Sequence, residues 1–185
     1  MSKTLGNVIS PFEQVEKYGL DAFRYYMIAG IPTFGDASYR EEDLVALYHS
    51  RLANSFGNLL NRVIHLAAKK AVSYKLEAVS PIVQEKIDAN KQVIASYYDG
   101  YDLYNAADEI HKLAIFANEY ISRPGHEPWN KEVSDEEAKQ VLVDCTAMLQ
   151  VIIDGYAPIL PETCARAQQL LDTQEKGILF QRIGS

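Results

Sequence analysis

The sequence is poor in cysteine, in tryptophan, in long apolar runs and in cations, and each scarcity excludes something. Only Cys145 and Cys164 are cysteines among 185 residues; each sits in a helical pattern and no C-x-x-C pair occurs. A zinc site therefore has no support, and a reducing, cytoplasmic compartment is the simple reading. The four histidines, His49, His65, His111 and His126, show no metal-ligand spacing, so no metal is expected. No apolar stretch reaches transmembrane length and no signal peptide is apparent, so no membrane partner is expected. Lysine and arginine number 18 against 25 acids, a net charge of −7. That balance argues against a generic nucleic-acid coat: any contact with a polyanion has to come from a local patch working against a repulsive background. No Ser/His/Asp or Cys/His arrangement and no paired carboxylates stand out.

What is present is helical patterning. Glu41 to Lys70 contains no proline and reads as one helix. Leu44, Tyr48, Leu52, Phe56, Leu59, Val63, Leu66 and Ala67 fall on a single stripe, the expected buried face. Acids open the segment (Glu41, Glu42, Asp43) and lysines close it (Lys69, Lys70), as the helix dipole favours. Arg51, Asn54, Asn58, Arg62, His65 and Lys69 form a second stripe, roughly 100–120° from the first, that carries no acid. Gly57 lies mid-helix, where it costs about 1 kcal/mol against alanine and leaves room for something to approach.

Around this rod the chain reads as further helices. Ser10-Pro11-Phe12-Glu13 has the form of a capping box, and its short helix stops at Gly19. Asp21 is placed to cap a helix over 22–29, and 30–37 is a turn region. Ser80-Pro81 opens a helix to Asp99, Asp102 caps one reaching Ile121, and Ser134 with Glu137 forms a capping box for one ending near Tyr156. Pro161 opens the last, to about Leu171, and the closing ILFQRI is apolar enough to dock back. Between these, Arg123 to Trp129 holds two prolines and a glycine and is a loop. The fold expected is all-α, an antiparallel helix bundle preceded by a small, mainly helical segment. The divisions expected are 1–40, 41–172 for the bundle, and a tail over 173–185.

Three groups of residues could carry function, each with a plainer reading beside it. Ser2-Lys3-Thr4, followed by Gly6-Asn7, places an ammonium among small residues, which suits a polyphosphate; a solvated terminal tail is the alternative. Asn58 and Arg62 are four apart on one helix face, and an amide with a guanidinium can read base edges and phosphates; otherwise they are part of a solvated face. Pro128-Trp129 sets the sole indole in a loop, a platform for an unpaired base worth about 1–3 kcal/mol, or else a plug for the bundle.

Taken together, these motifs resemble a known family. MSKTLGNVISP resembles the KMSKS loop of class I aminoacyl-tRNA synthetases, with Thr4 in place of the final serine and the opening lysine falling before Met1. DAFRYYMIAGIP, NSFGNLLNRV, APILPETCARAQQLL and the closing LFQRI resemble the C-terminal part of methionyl-tRNA synthetase, and the NLLNR and PW motifs point to methionine. The resemblance implies a class Ia anticodon-binding domain at 41–172, with a stem-contact segment at 1–40. It implies that Asn58 and Arg62 help to recognise the CAU anticodon, that Trp129 stacks on an anticodon base and that Pro128 shapes its loop. It implies that Lys3, flanked by Ser2 and Thr4, steadies the phosphates of ATP. The partners implied are the tRNA(Met) anticodon stem-loop and a catalytic domain that would lie upstream. No cofactor is expected for these residues, whereas ATP with magnesium would serve the whole enzyme. A truncated chain unable to aminoacylate is expected. Two rivals remain: the same region of an isoleucine, valine or leucine enzyme, and a helical protein-interaction module without an RNA role.

Overall fold

The computed structural model describes residues 9–32, 38–70 and 78–183. Ser2, Lys3 and Thr4 of the phosphate-binding candidate lie outside the described residues. No strand occurs among those described, and the architecture is an all-α helix bundle. Its elements are α1 (Pro11–Tyr18), α2 (Leu20–Tyr25) continuing as a π turn over Tyr26–Gly30, α3 (Glu41–Leu47), a π stretch over Tyr48–Gly57, α4 (Asn58–Lys70), α5 (Pro81–Asp99), α6 (Leu103–Tyr120), α7 (Asp135–Tyr156) and α8 (Pro161–Thr173).

Residues 41–70 form one unbroken rod, since the junction residues Leu47, Tyr48 and Asn58 keep right-handed helical dihedrals. All eight residues of the apolar stripe are buried. Burying side chains of this size contributes about 1.5–3 kcal/mol each, which is why the rod lies along α6 and α7. The rod is not uniformly α-helical, as its sequence pattern suggests, but has i→i+5 turns through its middle. Two contacts accompany that widening. Asn118 of α6 donates from Nδ2 to the Ser55 carbonyl at 3.1 Å, the kind of side-chain intrusion that distorts a helical ladder. At the end of the stretch, a Cβ on Gly57 would stand 2.7 Å from Phe180 Cδ2. Gly57 therefore admits the C-terminal tail. Phe180 packs edge-on to both Phe56 and Tyr48, and the Tyr48 hydroxyl donates to the Gln181 carbonyl at 2.8 Å. The docking expected of ILFQRI is found, with Leu179, Phe180 and Ile183 against the core.

Two expected caps are corrected. Ser10 makes no side-chain capping bond at α1; only its carbonyl accepts, from Gln14 N–H at 3.3 Å. Asp21 does not cap its own helix, which starts at Leu20 behind Gly19 with φ of 85°. Its carboxylate is buried and accepts from Thr163 N–H at 2.8 Å, in the first turn of α8. Leu160, the residue preceding α8, has no polar side chain to serve that N–H, so Asp21 caps across the fold. Arg24 fastens the same junction, donating to the carbonyls of Pro158 and Ile159 at 2.9 and 3.0 Å. Tyr25 meets Tyr156 edge-on at 5.7 Å. Leu103 is partly exposed in the first turn of α6. The caps expected at Asp102 and Ser134–Glu137 form.

Gly57→Ala gives a sign-reversal test. Overpacking against Phe180 costs about 1–3 kcal/mol, more than the helix-propensity gain of about 1 kcal/mol returns. In the otherwise unchanged chain the substitution should be neutral to destabilising. In a Phe180→Ala background it should stabilise by about 1 kcal/mol. Urea unfolding of the four chains measures both.

Candidate nucleic-acid interface

Arg62 sits on the flank of α4 that faces α6. Its Nη2 donates to Ser122 Oγ at 2.9 Å, and Nη1 reaches Asn118 Oδ1 at 3.5 Å. Its Cζ lies 5.0 Å from the centre of the Trp129 ring, within cation–π range. Partial burial lowers the guanidinium's pKa from its ordinary value, yet the group remains a cation. One turn earlier, Asn58 donates from Nδ2 to the same Asn118 Oδ1 at 3.3 Å. The three expected readers thus converge: Asn58 and Arg62 share one acceptor, and Arg62 covers part of one indole face. Trp129 keeps 48% of its surface exposed and does not plug the bundle.

The loop that carries Trp129 is built from within. Pro128 is buried. Gly125 takes φ of 85°, and its N–H donates to Glu127 Oε2 at 2.9 Å. Asn130 N–H donates to the Glu127 carbonyl at 2.9 Å. His126 packs edge-on to Tyr120 with ring centres 4.6 Å apart. Tyr120 in turn donates to the fully buried Asp144 at 2.7 Å, and burial together with that carboxylate pushes the phenol pKa up. Asp144 also accepts from Ser80 N–H at 2.8 Å and from Gln140 at 3.1 Å, so one buried carboxylate ties the start of α5, α6 and α7. The indole stands on a fixed frame.

The acid-free stripe of the rod is answered from across the interface. Arg51 pairs with Asp108 of α6 at 3.2 Å, and Asp108 also meets Lys112 at 3.1 Å. That part of the stripe, acid-free within its own helix, is neutralised by α6. Asn54, Asn58, His65 and Lys69 stay exposed. Between α6 and the rod lies an open groove of about 560 Å³ whose lining includes Asn54, Ser55, Asn58, Arg62, His111 and Asn118. Ser55 Oγ and His111 Nδ1 are buried there without a hydrogen-bond partner. The groove therefore offers amides, hydroxyls and one guanidinium, a set suited to base edges, together with the exposed carboxylate of Glu119 at its margin. It does not offer the density of cations that backbone tracking requires. No group of three metal-ligating side chains occurs among the described residues, and no described helix is long and apolar enough to cross a membrane.

Asn118 and Ser122 escaped the sequence reading. Asn118 lies on α6 and Ser122 in the turn just beyond its end, on the side away from the apolar register. The available signal was their i, i+4 spacing opposite the Asn58–Arg62 pair, and only knowledge that α6 packs on the rod would have given it meaning.

Comparison with known proteins follows this geometry. Residues 1–64 match the family described as class I tRNA synthetases (M). The relatives are methionine–tRNA ligases. That of Ureaplasma parvum is 31% identical, covering 100% of this chain and 37% of the relative; that of Enterococcus faecalis is 34% identical over 88% of this chain and 25% of the relative. Methionyl-tRNA synthetase of Mycobacterium tuberculosis, solved with methionyl-adenylate, shares the fold with a TM-score of 0.79 over 92% of this chain and 35% of that one, at 23% identity. The chain is thus similar to one part of these methionine–tRNA ligases and spans about a quarter to two fifths of their length.

His111 gives a pH test of the groove. Burial first, then the charge of Arg51, push its imidazole pKa down to about 4, with Asp108 opposing. The unfolded chain takes up this proton near pH 6.5 and the folded one only near pH 4. The stability due to neutral His111 is therefore complete above about pH 6.5 and lost as pH falls towards 4. His111→Gln should flatten the melting temperature–pH curve within that window and leave its slope above pH 7 unchanged.

Proposed function

We propose that these residues recognise the anticodon within a methionine–tRNA ligase. The observation that carries the reading is the meeting of Arg62 and a half-exposed Trp129 at the edge of an amide-lined groove. A stacked base needs a rigid aromatic face with hydrogen-bonding groups at its rim, and single-stranded loops are where RNA exposes its base edges. Asn58 and Arg62 supply a polar rim, Trp129 the stacking face, and Pro128 the fixed loop. The low cation density fits recognition of a few unpaired bases rather than of a long duplex. On this reading residues 41–172 are the anticodon-binding bundle, 1–40 the stem-contact segment with Lys3 serving ATP phosphates, and 173–185 the packing tail. The whole enzyme uses ATP and magnesium to join methionine to its tRNA in the cytoplasm.

Titration with a CAU stem-loop, followed by fluorescence of the sole tryptophan, tests it. Trp129→Ala and Arg62→Ala, the first followed by calorimetry, should each weaken binding by about 1–3 kcal/mol. Undiminished binding in both variants would falsify the reading and favour a protein-interaction module. Preference for a GAU stem-loop would move the assignment to an isoleucine enzyme.

A further inference from the structure

Asn118 holds the groups proposed to read the anticodon, and it does so with its amide fixed end for end. Its Nδ2 donates to two backbone carbonyls, Ala114 at 2.8 Å and Ser55 at 3.1 Å. Reversing the amide would turn its oxygen onto both carbonyls, so the orientation is dictated by chemistry. Oδ1 must then face α4, where Asn58 Nδ2 and Arg62 Nη1 approach it at 3.3 and 3.5 Å. Because one N–H of the Asn58 amide is committed to Asn118, the amide's orientation is set: Nδ2 faces Asn118 and Oδ1 takes the opposite side of an exposed side chain, with no hydrogen-bond partner among the described residues. The rim therefore presents an acceptor beside the guanidinium donors.

We infer that Asn118 is a positioning residue that sets base specificity, by fixing Asn58 with its acceptor outward next to Arg62 so that cytosine is preferred to uracil. Cytosine carries a donor amino group beside two acceptors on its pairing edge. Uracil has a carbonyl where that amino group stands, and it would meet the Asn58 oxygen acceptor to acceptor. With Asn118 removed, Asn58 is free to flip its amide and accommodate either base. The inference rests on the anticodon reading, and its test separates the two.

The unsubstituted chain and Asn118→Ala are titrated with CAU and UAU stem-loops. The unsubstituted chain should prefer CAU, and the ratio of the two affinities should fall about ten-fold in the variant, one well-made base contact being worth at least that much. A merely structural role for Asn118 would weaken both complexes alike, and a preserved ratio overturns the inference while leaving the anticodon reading intact. Absence of any preference in the unsubstituted chain overturns both. Should the variant not fold, side-chain amide exchange in the unsubstituted chain decides. The Asn118 protons should be protected and those of Asn58 unequal; free-peptide exchange at Asn118 sinks the idea.

Discussion

The structure depends on the burial of one stripe along the rod of residues 41–70. Leu52, Phe56, Leu59 and Val63 are essentially sealed from water, and they face α6 and α7. A helix whose apolar stripe is fully used cannot rotate about its axis without exposing it. That constraint fixes the azimuth of every other side chain on the rod. It turns Arg51, Asn58 and Arg62 towards the edge of α6, where Asp108, Asn118 and Ser122 meet them. The polar edge is thus a consequence of how the core packs.

At that edge charge is largely cancelled. Arg51 is absorbed by Asp108 of α6 and, at the end of the rod, Lys70 by Asp135 of α7 at 2.6 Å. Arg62 is not paired with an acid: its partners are an amide, a hydroxyl and an aromatic ring, none of which neutralises it. A cation held by neutral groups keeps its field for an incoming ligand. On the proposed reading, the net charge of −7 discourages indiscriminate binding of nucleic acid, and discrimination falls to hydrogen-bond geometry. The frame behind this site is polar but satisfied, with the Asp144 carboxylate accepting from Tyr120, Ser80 and Gln140. A satisfied buried network of this kind is rigid, which is what a stacking platform needs.

Most helices were legible from periodicity and punctuation. The rod, the Pro81 and Pro161 starts, the Asp102 cap and the Ser134–Glu137 box are all local features, set by residues within a few positions of one another. Asp21 shows the limit of that reasoning. Its type and position suit a cap for the adjacent helix, but its partner is Thr163, far along the chain. The π stretch at Tyr48–Gly57 was equally hidden, because what accompanies it, the Asn118 amide and the Phe180 ring, comes from elsewhere in the fold. Gly57 hinted at a close approach without saying by what.

The sequence by itself determined that this chain is helical, where most of its helices begin and end, which face of the rod is buried, and that Asn58 and Arg62 lie side by side; all of these follow from backbone periodicity and near-neighbour hydrogen bonding. Only the tertiary structure decided that Trp129 reaches Arg62, that Asn118 meets both Asn58 and Arg62, and that Arg51 is spent on Asp108. Those contacts join residues tens of positions apart, and their existence depends on how closely two helices pack and at what rotation, a balance of core burial that no short stretch of sequence contains.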